Sequence, residues 1–202
     1  MSRLTLIVAS TKNNGIGHQS RLPWRLPKEM AYFARVTSNA PEGKRNAVIM
    51  GRNTWESIPT KFRPLAKRAN LVISRNKDYS LTSQETAPAY LDTSFEDSLE
   101  RLKSNSESIH KAFIIGGATI YSAALNLPPS NALGFVDRVL LTRILSPEFE
   151  ECDVFMPDFM KSGDWKRVSH DDLCKWVGFD VPEGVQEENG VQYEFQLWAR
   201  EP

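Results

Sequence analysis

The sequence predicts an α/β fold, a mostly parallel β-sheet with an antiparallel edge, flanked by helices. Short runs that are apolar on both sides, such as residues 47–50 and 111–115, read as strands covered on both faces, the condition of a parallel sheet. Helically spaced segments separate these runs in β-α-β order. At the far end, Asn189-Gly190 is a hairpin turn signal, and the alternation that follows it reads as an antiparallel strand.

A chain of 202 residues, 41% of them apolar, is long enough to bury a core, and one domain over residues 1–202 is expected. Its 25 basic and 25 acidic residues cancel, but not locally. Residues 44–77 carry nine Lys or Arg against Glu56 alone, whereas residues 147–194 carry thirteen acids against four bases. The basic third is therefore expected to meet an anion. Nucleic acid fits poorly, because the basic residues follow no single helix face and lack interleaved aromatics, so small phosphorylated or carboxylated ligands are favoured. Cys152 and Cys174 have no metal-ligand or disulfide-scaffold spacing, which points to a reducing, cytoplasmic setting. No membrane span is expected: the uncharged stretch 112–136 is broken by Gly116, Gly117, Pro128 and Pro129. The apolar run 4–9 is too short for a signal peptide.

Taken in order, residues 3–9 alternate and then run apolar as a buried strand, and residues 11–25 form a polar, glycine-containing loop. Pro27 suits a first helical turn, and Met30, Phe33, Ala34 and Thr37 recur at helical spacing until Asn39 and Pro41 end the helix. The strand at 47–50 runs into Gly51-Arg52-Asn53-Thr54 and a short helix, after which residues 70–74 form a third strand. Ser94 and Asp97 have capping-box spacing ahead of an amphipathic helix with Phe95, Leu99 and Leu102 on one face. Gly116-Gly117 ends the next strand, and Ala118–Leu125 reads as helix. Residues 136–145 have strand composition. In Val191–Ala199 the apolar Val191, Tyr193, Phe195 and Leu197 alternate with Gln192, Glu194, Gln196 and Trp198.

Glycines stand at three strand ends: Gly15-Ile16-Gly17, Gly51 and Gly116-Gly117. Such corners either simply turn the chain or, at a helix N-terminus, receive phosphate. No dinucleotide G-x-G-x-x-G and no P-loop pattern occurs. Helical spacing places Glu29 on the side of Phe33 and Val36, toward the apolar face. It is either an acid favoured by the helix dipole or a desolvated acid with a raised pKa that awaits a hydrogen-bonding ligand. Thr142, inside an apolar strand, is either an ordinary strand threonine or part of such a site. His18, His110 and His170 lie in unrelated contexts and assemble no metal site or triad, so no metal is expected.

In combination these motifs resemble dihydrofolate reductase, over nearly the whole chain. The resemblance rests on Ile7-Val8-Ala9, Gly15-Ile16-Gly17, Leu22-Pro23-Trp24, Leu26-Pro27-Lys28-Glu29 with Phe33, and Met50-Gly51-Arg52-Asn53-Thr54-Trp55. It continues through Arg63-Pro64-Leu65, Arg68, Asn70, Ser74-Arg75, Ile114-Ile115-Gly116-Gly117 with Tyr121, Thr142-Arg143-Ile144 and Tyr193-Glu194-Phe195. It implies an eight-stranded, mostly parallel sheet with an antiparallel C-terminal strand, and NADPH-dependent reduction of 7,8-dihydrofolate to tetrahydrofolate for one-carbon metabolism.

By resemblance Glu29, Trp24 and Thr142 form the catalytic group. Ile7, Val8, Phe33, Ile58, Leu65, Ile115 and Tyr121 line the folate site, and Arg68 pairs with the glutamyl carboxylate. Ala9, Ile16 and Gly17 approach the nicotinamide, and Gly51, Arg52, Asn53 and Thr54 approach the rest of the cofactor. Ser74 and Arg75, with Arg52, grip the 2′-phosphate. Gly116, Gly117, Ala118, Thr119, Ile120 and Tyr121 hold the pyrophosphate. Folate-like inhibitors are further expected ligands, and the family suggests a monomer. Ala34 and Phe62 stand where vertebrate members are polar, and the longer stretches near 79–88 and 126–134 look eukaryotic, of fungal type. A related pterin or pyrimidine reductase need not keep Glu29, Phe33 and Arg68 together. A non-catalytic nucleotide-binding or RNA-binding module would show steeply salt-dependent binding.

Overall fold

A computed structural model describes residues 2–201. Its strands are β1 (Ser2–Thr11), β2 (Gly15–Gly17), β3 (Arg45–Gly51), β4 (Arg68–Ile73), β5 (Ala89–Asp92), β6 (Ile109–Gly116), β7 (Gly134–Ser146), β8 (Val154–Phe155), β9 (Lys166–Arg167), β10 (Gln186–Glu188) and β11 (Val191–Ala199). The helices are α1 (Pro27–Ser38), α2 (Arg52–Ser57), α3 (Phe95–Ser104), α4 (Ala118–Leu125) and α5 (His170–Val177).

Eight strands run in the order β10-β11-β7-β1-β6-β3-β4-β5, and β9 adds a ninth by pairing with β11. From β7 to β5 every pairing is parallel, while β11 runs antiparallel to both β7 and β10. The expected eight-stranded sheet is present and its last strand, β11, runs antiparallel as expected; the short β10 lies beyond it at the sheet edge.

Strand periodicity divides the core in two. Leu4, Leu6 and Val8 of β1, with Ala47 and Ile49 of β3, pack under α3 and α4. Ile7, Val48 and Met50 point the other way, into a cluster with Trp24, Tyr32 and Val36 on the α1 and α5 side. The Ser94 capping box forms as expected: its hydroxyl accepts from Asp97 N–H at 3.0 Å, and Asp97 Oδ2 accepts from Ser94 N–H at 3.0 Å.

Several elements depart from the expectation. Helix α1 is rotated, so that Glu29, Tyr32, Val36 and Thr37 are buried while Met30 is 48% exposed and Ala34 faces solvent. Tyr32 wins the interior because its ring meets Phe195 at 4.1 Å and Phe179 at 6.3 Å between centroids. The loop at 11–25 contains β2, which pairs with the distant β8. Strands β5 and β8 to β10 are two to four residues long, too short for a periodicity to register. Helix α5 was not among the expected elements, although its ends carry local signals: Ser169 caps it by accepting from Asp172 N–H at 3.1 Å, and Gly178, at φ +82°, ends it.

Candidate active site

Because β1, β3, β4, β6 and β7 are parallel, their carboxyl ends share one rim, the usual place for ligands in an α/β sheet. Glu29 enters this region from the first turn of α1 and is only 6% exposed. Thr142 Oγ1, on β7, donates to Glu29 Oε1 at 2.9 Å and is its one hydrogen-bond donor among the described residues. Among the described residues no cation pairs with this carboxylate. Desolvation therefore dominates and pushes the acid up to about 7, with the Thr142 bond opposing and the charge of Glu188 assisting.

Trp24 lies in the same cluster, 6% exposed, and its Nε1 is buried without a hydrogen-bond partner. A buried donor in that state calls for a water or a ligand atom. Ile7 and Leu65 belong to this cluster, and Ala9, Phe33, Ile58 and Ile115 pack against it. Apolar side chains around one poorly solvated carboxylate suit a flat, mostly apolar molecule with a polar edge.

At the far end of α1, Arg68, the first residue of β4, is 6% exposed and has no acidic partner among the described residues. Its Nη1 donates to Thr37 Oγ1 at 2.7 Å and its Nε donates to Ala66 O at 2.9 Å. Burial lowers its pKa to about 10. Asn70 braces the turn that presents it, accepting from Leu65 N–H at 2.9 Å and donating to Leu65 O at 3.1 Å. A buried, hydrogen-bonded but unneutralised guanidinium suits an incoming carboxylate.

The glycine corner at Gly116-Gly117 is built for close approach. Gly116 has φ +123°, and a Cβ there would sit 3.4 Å from both Thr54 Oγ1 and Tyr121 OH. Gly117 begins α4 without a side-chain cap, and the first helical bonds start only at Ile120 N–H, leaving the Ala118 and Thr119 N–H groups ahead of them. These residues fit a pyrophosphate. Arg52, Asn53, Arg75 and Thr119 are exposed around this corner, Thr54 and Gly51 are half-buried, and Ser74 is buried at the end of β4.

Three expected site residues are placed differently from their neighbours. Val8 and Ile120 turn their side chains into the α3 and α4 core, so only their backbone faces the rim. Tyr121 is a strut: its hydroxyl donates to Ile7 O at 2.9 Å. Ile16 and Gly17 lie on β2, where Gly17 O accepts from Asp153 N–H at 3.1 Å. Sequence reasoning missed Thr37, which holds Arg68, and Glu188, which meets α1 from the chain's far end. A threonine on the buried face of α1 was the available hint for the first; nothing local marks the second.

A buried carboxylate at the start of α1, a buried guanidinium at the far end of the same helix and an uncapped glycine corner at the end of β6 suit an oxidoreductase that takes a phosphorylated cofactor and an anionic substrate. The sequence profile of the dihydrofolate reductase family matches residues 3–200, and the chain belongs to that family. It is 44% identical to dihydrofolate reductase from Cryptococcus neoformans var. neoformans serotype D, covering 97% of this chain and 94% of that one. The Pneumocystis carinii dihydrofolate reductase is 43% identical, over 98% and 97% of the two chains. The solved Schistosoma mansoni dihydrofolate reductase superposes with a TM-score of 0.78 at 32% identity, covering 99% of both chains.

Proposed function

We propose that this chain reduces 7,8-dihydrofolate to tetrahydrofolate with NADPH, and that Glu29 is the carboxylate that receives the pterin. The observation carrying the assignment is a buried acid bonded, among the described residues, only to Thr142, on a helix whose far end holds the buried Arg68, which meets no acid among those residues. The hydride comes from the nicotinamide C4 of bound NADPH and goes to pterin C6.

Glu29 accepts from the pterin amino group and adjacent ring nitrogen, Thr142 fixes the carboxylate's rotamer, and Trp24 Nε1 holds a water beside it. Ile7, Phe33, Ile58, Leu65 and Ile115 exclude bulk solvent from the ring, while Arg68 forks onto the glutamyl carboxylate. The reaction consumes a proton at N5. A site acid with a value of about 7 is half-protonated near neutrality, so the step slows as pH rises above that value. Glu29 serves orientation and the local field, with water carrying the proton to N5.

Gly116, Gly117 and the start of α4, with Thr54, hold the pyrophosphate, and Ser74, Arg75 and Arg52 hold the 2′-phosphate that separates NADPH from NADH. Ala9, Ile16 and Gly17 flank the nicotinamide. Folate-like inhibitors compete for the Glu29 pocket. The chain acts as a monomer in the cytoplasm; both cysteines are free thiols, and among the described residues no helix is long and apolar enough to cross a membrane. The test follows the loss of reduced-nicotinamide absorbance with dihydrofolate and either NADPH or NADH, for the wild type and for Glu29→Gln. NADPH-selective turnover that the variant lacks is the expected result. Equal rates for the two proteins would overturn the role of Glu29.

A further inference from the structure

Helix α1 carries Glu29, yet its own N-terminus is poorly served. The N-cap residue is Leu26, which has no side-chain oxygen to offer, and Pro27 follows it. The missing acceptor comes from the opposite end of the chain. Glu188, the last residue of β10, accepts from the Lys28 N–H with both carboxylate oxygens, at 2.8 and 3.1 Å. One residue on, Asn189 Nδ2 donates to Arg25 O at 2.8 Å. The tip of the β10-β11 hairpin thus grips the chain on both sides of Leu26, immediately before the residue that binds the pterin. The grip is rigid on the hairpin side, because Gln186, Glu187 and Glu188 are registered against Tyr193, Gln192 and Val191.

We propose that Glu188 is a positioning residue for the reduction: it caps α1 from outside the helix, fixing the turn that carries Glu29, and sets its own carboxylate behind that of Glu29. The inference rests on Glu29 being the acid that receives the pterin. The groups that face Glu29 are Thr142 from β7, Tyr121 from α4, Tyr193 from β11 and Tyr32 on its own helix, with the Lys28 ammonium next in the chain. Burial pushes the hydroxyls of Tyr32, Tyr121 and Tyr193 up, so they remain neutral through the working range. Glu188 is the ionised neighbour that raises Glu29, so the same contact serves both geometry and proton affinity.

The two parts of the role separate by substitution. In Glu188→Gln the amide oxygen still accepts from Lys28 N–H but the charge is gone; in Glu188→Ala both are lost. The assay is single-turnover hydride transfer, with saturating dihydrofolate and NADPH, across a pH range bracketing neutrality, with Glu29→Gln as reference and melting curves as a check on folding. Glu188→Gln is expected to keep the acid-plateau rate and to lower the midpoint by roughly 0.3 to 0.6 pH unit, the size of one partly screened charge. Glu188→Ala is expected to lower the midpoint similarly and also to lose plateau rate. If Glu188→Gln has the wild-type midpoint while Glu29→Gln abolishes the step, the role of Glu188 is refuted and that of Glu29 stands. If Glu29→Gln itself keeps the wild-type rate and pH profile, the parent assignment falls and this inference with it.

Discussion

Glu29→Gln should trade activity for stability, by an amount that follows from burial. The acid's value of about 7 lies well above its ordinary 4.5. Since the folded value is the higher one, the folded protein binds this proton more tightly than the unfolded chain does. Stability is therefore greatest below about pH 4.5 and declines as pH rises to about 7, leaving a cost of about 3 kcal/mol above neutrality. Glutamine carries no such cost, and its Oε1 can still accept from the Thr142 hydroxyl. Burying its NH2 group without a set partner takes back about 1 to 2 kcal/mol. The net gain at pH 8 is then about 1 to 2 kcal/mol, or about 2 to 8 °C in Tm for a chain of this size. Calorimetric melts at pH 8 and pH 5 measure it, and the gain should disappear at the lower pH. Hydride transfer should meanwhile slow by roughly 100-fold or more, because the amide, unlike the acid, has no acidic proton to pass to the site water. A variant less stable than the wild type at pH 8, or one whose gain is the same at pH 5, would refute a desolvated, ionised Glu29.

Three further perturbations test the neighbours. Thr142→Val removes the one hydrogen bond that favours ionised Glu29, so the pH midpoint of hydride transfer should move upward, opposite to Glu188→Gln; a downward move would contradict the observed bond. Arg68→Met should raise KM for dihydrofolate by roughly 30-fold or more while leaving KM for NADPH unchanged. Its melting temperature should not fall, because the cation it removes is buried without an acid, and steady-state kinetics with one melt decide the point. Gly116→Ala forces a Cβ onto a residue at φ +123° and against Thr54 and Tyr121. It should cost about 1 to 3 kcal/mol and weaken NADPH binding at least tenfold, as read by melting and titration calorimetry.

Much of this molecule could be read without coordinates because its signals are local. The two-sided apolar strands at 47–50 and 111–115, the Ser94 capping box and the Asn189-Gly190 turn each declare themselves within a few residues. Glu29 stood out for the same reason: a carboxylate at helical spacing from Phe33 and Val36 conflicts with its own apolar face, and that conflict marks a site. The charge excess at 44–77 pointed to anionic ligands, and within it Arg52 and Arg75 are exposed while Arg68 is buried.

Composition and spacing thus determined the longer strands and most of the helices, and which acid stands at odds with its apolar surroundings. The tertiary structure decided everything that depends on residues distant in sequence. It chose Tyr32 over Met30 for the interior of α1, because Phe195 and Phe179 are there to receive a ring. It turned Ile7 and Val8 to opposite faces of the sheet, joined β2 to β8, and brought Thr142 and Glu188 to either side of one helical turn. No local pattern encodes such contacts, since their energy comes from partners that only the folded chain brings within a few ångströms. The depth of burial that sets the proton affinity of Glu29 is a property of the same kind.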